Sequence, residues 1–132
     1  MRKIDQNISM ILEQFNLDPK EALWDCHGTW VMYHKYCERV GAKLGIEWKI
    51  PVIIEADYQN KTAVILVSGT VYGNDGNTVT EWSIGEAHPS NNRNAYIYAM
   101  AEKRGKDRVI LKLSGLHGFV YSEDESDDFK PK

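Results

Sequence analysis

The hydrophobic positions change period along the chain. From residue 3 to 16, Ile4, Ile8, Ile11, Leu12 and Phe15 recur at helical spacing, with Asp5, Gln6, Glu13 and Gln14 between them. This pattern predicts an amphipathic helix. Asp18-Pro19 then reads as a helix stop or a new start. GTWVM, residues 28–32, is a short β-prone run. Tyr33, Tyr36, Cys37, Val40 and Leu44 form one apolar stripe, which predicts a second helix over about 33–44. Gly45 suits its left-handed C-terminal cap.

Past residue 46 the pattern turns to β-branched and aromatic runs: EWKIPVIIEA (47–56), KTAVILVSGTVYG (61–73) and NTVTEWSIGEA (77–87). DYQN and NDG separate them, so the expectation is a three-stranded antiparallel meander. Pro51 marks an edge or a bulge. A polar loop, HPSNNRN (88–94), offers Asn91, Asn92 or Asn94 as a cap for a third helix over about 95–114, ended by Ser114-Gly115. The expected fold class is α+β: a curved three- to four-stranded antiparallel sheet, a β-β-β-α core, packed against a long helix with helices before it. One domain is expected over 1–121, with residues 1–23 as its N-terminal helical segment. An acidic disordered tail is expected over 122–132.

Composition changes this picture little. The 132 residues are 42% hydrophobic and 27% charged, ordinary values for a globular chain that can bury a real core. No run approaches the ~18–20 apolar residues of a membrane span. The N-terminus lacks the apolar core of a secretory signal, so Cys26 and Cys37 are expected as reduced thiols in the cytoplasm.

Charge changes it more. The formal net charge is −3, from 19 acids and 16 Lys+Arg. The stretch 122–132 holds five of the acids and two of the bases, so the body is neutral. Yet Lys103, Arg104, Lys106, Arg108 and Lys112 crowd ten positions of the third helix. Glu102/Lys106 and Lys103/Asp107 read as i,i+4 ion pairs on a solvated face. Arg104, Arg108 and Lys112 instead stand at i, i+4 and i+8, one stripe with no acid on its own row. Two readings are open. The stripe meets an anion, for which a phosphate backbone is the common answer, or its stems lie over apolar surface with their heads in water.

The runs TWVMYHKYCERVGAKLGIEW and AYIYAMAEKRGKDRVILKLSGLHG, with three strands between them, resemble the annealing core of the Rad-fifty-two-type single-strand annealing proteins, above all the small phage and bacterial members. The resemblance covers about residues 24–118. It implies protomers that join their sheets side by side into rings or filaments, with single-stranded DNA in a groove between sheet and long helix. The implied activity is strand annealing in recombination and repair without ATP, metal or another cofactor. The implied partners are single-stranded DNA, further copies of the chain, and a nuclease or single-strand-binding protein. Lys35, after His34, matches the family's basic residue at the start of the first core helix. Arg108 and Lys112 match two basic positions of the long helix, counted back from Gly115. Val109 stands where the family has a third, and Gly45 and Ile46 stand where it has an aromatic, with Trp48 nearby. Arg93 and Arg104 join the candidate DNA-binding set by position alone.

Other constellations are weaker. Cys26, His27, His34 and Cys37 have no common zinc spacing, and no third group orients a Cys/His nucleophile. Glu81 and Glu86, five apart on a strand, point to opposite faces. Nothing marks an enzyme. The acidic tail has three readings: a solvated end, a competitor for the basic groove, or a docking segment. The alternative function is an oligomeric structural or protein-interaction module that binds no DNA.

Overall fold

The computed structural model describes residues 3–125. Helix α1 runs over Gln6–Gln14, shorter than the apolar pattern predicts, because the Asp5 carboxylate caps it by accepting the Asn7 N–H. Ile8 and Leu12 are its fully buried positions. Asp18 and Pro19 open a new element, the one-turn helix α2 (Pro19–Ala22). Strand β1 (Leu23–Cys26), absent from the sequence reading, pairs antiparallel with β2 (Thr29–Met32). His27 and Gly28, both at positive φ, make the two-residue turn between them.

Helix α3 (His34–Leu44) and helix α4 (Ile97–Ser114, 18 residues) follow the expectation closely. Gly45 and Gly115 close them in the left-handed conformation, at φ 66° and 85°. The meander is present with one change. Its first run is cut at Pro51 into β3 (Glu47–Trp48) and β4 (Val52–Asp57). Both pair antiparallel with the same side of the central strand β5 (Thr62–Tyr72), and the β4 register shifts between Ile53 and Glu55. Strand β6 (Thr78–Ala87) pairs with the other side of β5. The fold is therefore α+β, a four-stranded antiparallel sheet under a long helix.

Side chains of β5 alternate between a buried set, Ala63, Ile65 and Val67, and a half-buried set facing away. The buried set meets Ile97, Ala101 and Val109 of α4. At Gly85 of β6 the helix comes so close that a Cβ there would lie 1.8 Å from the Ala101 carbonyl oxygen. A second core joins α1, β1, β2 and α3 to the end of α4 through Leu12, Met32, Val40, Ile110 and Leu116. Helix α4 thus belongs to both cores.

The C-terminal segment corrects the sequence reading. Strand β7 (Tyr121–Ser122) pairs parallel with β2, Ser122 is fully buried, and residues 123–125 form a short 3-10 turn. The ordered fold runs at least to Glu125, so a tail cannot begin at 122. The rest of the expected tail, 126–132, lies outside the described residues. Among the described residues no helix is long and apolar enough to cross a membrane.

Candidate functional site

The cation stripe of α4 has partners after all, supplied across the layer rather than along the helix. Arg104 donates to the Glu86 carbonyl at 2.8 Å, Arg108 to the Ile84 carbonyl at 2.6 Å and Lys112 to the Trp82 carbonyl at 2.7 Å. Four helical residues rise about 6 Å and two strand residues about 6.6 Å, so an i, i+4, i+8 row matches every second carbonyl of an antiparallel strand. Alternate carbonyls of a strand point to one side. These three all accept from α4, so they share one side of β6. The stripe covers part of an otherwise bare sheet edge.

This corrects the reading of the stripe as uncompensated. Arg104 is 6% exposed, and its Nη1 and Nη2 also donate to the Asn91 side chain and carbonyl. It pins the 88–94 loop rather than facing solvent. Arg108, half-buried, also pairs with Glu125. The Lys112 ammonium lies 5.5 Å from the Trp82 ring centroid. Lys35 is exposed beside Tyr36, and Arg93 is exposed in the loop. The five candidates therefore do not form one surface cluster of free cations. Val109, at the family's third basic position, is fully buried.

A different group of side chains comes together where α3, α4 and the C-terminal turn meet. His34 opens α3, and its Nδ1 lies 2.8 and 2.9 Å from the two carboxylate oxygens of Asp107. Its Nε2 lies 2.6 Å from Glu38, one turn along α3. The Glu123 carboxylate accepts the His34 backbone N–H, an N-terminal donor with no intrahelical partner. Asp124 places Oδ2 3.8 Å from the same Nδ1 and Oδ1 3.2 Å from the Lys103 ammonium. The pair expected between Lys103 and Asp107 does not form, whereas Glu102 and Lys106 do pair, at 3.5 Å.

Asp107 is fully buried. Burial pushes its carboxyl up to about 7, against the His34 hydrogen bond that favours the ionised form; the neighbouring Asp124 charge pushes the same way as burial. The hydrogen bond to Asp107 raises His34 above its ordinary value despite partial burial. Burial, with the Asp107 charge beside it, raises the Cys37 thiol well above its usual range, which makes it an inert core group. Beside this cluster lies a cavity of about 520 Å³ between α3, β3 and α4, with His34, Glu38, Trp48, Lys103, Lys106 and Asp107 on its walls. The Lys106 ammonium stands 5.4 Å from the Trp48 ring centroid.

Sequence reasoning missed Asp107 and Asp124. Asp107 carried a clue, since its i+3 and i+4 neighbours, Ile110 and Leu111, turn its face of α4 inward. Asp124 carried none. Of the four residues weighed for zinc, Cys26 and Cys37 are buried and not joined in a disulfide, His27 sits in the β1–β2 turn, and only His34 enters the cluster. The chain matches no protein-family model, no curated protein and no solved structure.

Proposed function

We propose that the chain is a sequence-independent single-stranded DNA-binding protein of the Rad-fifty-two-type annealing class, acting in recombination and repair without ATP and associating with copies of itself. The observation that carries this reading is the arrangement of β4, β5 and β6 under α4: three antiparallel strands followed by one long helix pressed onto them, the order that the sequence resemblance implies. Lys35 and Arg93, both exposed, are the cations best placed to meet phosphates directly. Arg108 and Lys112 meet them only where their charge extends past the carbonyls they already hold. Arg104, buried and holding the Glu86 and Asn91 carbonyls, drops out of the contact set.

Self-association has its own support. Ile50 is 91% exposed, and Val52, Ile53 and Ile54 are each more than half exposed on β4, whose outer edge has no strand partner among the described residues. An exposed apolar edge of this kind is a template for strand addition. The same feature favours the second reading, an assembly module that binds no DNA.

Anisotropy of a labelled mixed-sequence oligonucleotide of about 30 nucleotides, single- and double-stranded, at two salt concentrations, separates the readings. The annealing reading expects salt-sensitive preference for the single strand by an oligomer. An oligomer without DNA affinity at low salt overturns it in favour of the assembly module.

A further inference from the structure

We propose that His34, Asp107 and Asp124 form a binding site for one divalent first-row cation of the Mn²⁺ or Zn²⁺ kind, with Glu38 as the outer partner of the histidine. One ligand atom from each of the three residues lies within 4.8 Å of the other two. With bonds of about 2.1 Å, neighbouring ligand atoms stand about 3.0 Å apart in an octahedron and about 3.4 Å in a tetrahedron. The observed separations from His34 Nδ1, 2.8 Å to Asp107 and 3.8 Å to Asp124, bracket these values.

Two further observations point to a ligand rather than to a closed ion-pair network. The Asp124 side chain is 6% exposed, and its Oδ2, the atom nearest His34, has no hydrogen-bond partner. A buried carboxylate oxygen without a donor is costly, and a cation removes that cost. The second is the outer contact. Metal-bound imidazoles characteristically give their other N–H to a carboxylate, which fixes the tautomer. Glu38, at 2.6 Å from Nε2, is placed to accept it, leaving Nδ1 as the ligating lone pair.

Lys103 holds Asp124 through Oδ1 and leaves Oδ2 for the ion. One imidazole with two carboxylates suits ions between the hard and soft extremes. Three protein ligands leave positions open toward the 520 Å³ cavity that His34 and Asp107 border. Water, or an anionic group of a ligand in the cavity, completes the shell.

The site is independent of the DNA reading, and its test needs no oligonucleotide. Metal-free protein is titrated with Mn²⁺, and the free ion is followed by its electron paramagnetic resonance signal. Mn²⁺ prefers oxygen and nitrogen donors, so Cys26 and Cys37 do not compete. The proposal expects one Mn²⁺ per chain, displaced by Zn²⁺, absent in Asp124→Asn, and weakened about tenfold or more in Glu38→Gln. Circular dichroism checks that both variants stay folded. Glu38 is exposed, so its variant is informative even if the buried site tolerates no change. No depletion of the free signal up to about 1 mM overturns the site, as does undiminished binding in either folded variant.

Discussion

At Gly85 the space for a side chain is set by the backbone of another element. A Cβ there meets the Ala101 carbonyl, an atom that cannot rotate away. Gly85→Ala should cost about 3 kcal/mol or more, read as a lower urea midpoint at unchanged slope. The cations divide by the same logic. Arg104→Ala removes the buried donor of the Asn91 carbonyl and one of the two donors to the Glu86 carbonyl, and should cost about 2–4 kcal/mol. Lys35→Ala and Arg93→Ala should leave the midpoint unchanged and, in the DNA reading, weaken binding equally across sequences with a shallower salt slope. Gly45 and Gly115 were legible in the sequence because a helix end is a local event. The work of Arg104 was not, because its partners lie 13 and 18 residues away on other elements.

Elements were legible where a period lasted long enough. Helices α3 and α4 and strands β5 and β6 run ten residues or more, and each was readable within a few residues of its ends. Strand β1 was not, because four residues, Leu23–Cys26, give too little alternation to separate from the helix-like start before them. The cut at Pro51 was half visible, since proline removes a ladder donor but does not say where pairing resumes. The apolar character of β4 was plain in the sequence, and its exposure was not. Replacing Ile50 and Ile54 by Lys should leave the melting temperature nearly unchanged and reduce self-association, measured by light scattering over a concentration series.

At the scale of the whole molecule, α4 joins two cores and the C-terminal turn lies against it. Truncation after Ser122 would remove Glu123, Asp124 and Glu125, the partners of the His34 backbone, Lys103 and Arg108. That variant should melt at lower temperature by calorimetry. In the DNA reading it should also bind the single strand more tightly at low salt, because two cations lose their internal anions. The acidity of this segment was legible in composition. Its docking was not, because the parallel pairing of Tyr121–Ser122 with β2 joins positions ninety residues apart.

The ladder of Arg104, Arg108 and Lys112 also bears on how copies can add. A sheet with two bare margins extends indefinitely or curls into a circle. Among the described residues this one has a bare margin at β4 and, over residues 82–86, a margin already occupied from within. Two copies meeting β4 to β4 exhaust each other, so strand addition of that kind ends at a pair. A ring built from such pairs, linked through residues 78–81 or through the helical layer, holds an even number of chains in native mass spectra, whereas β4 set against residues 78–81 of the next copy gives odd numbers as well.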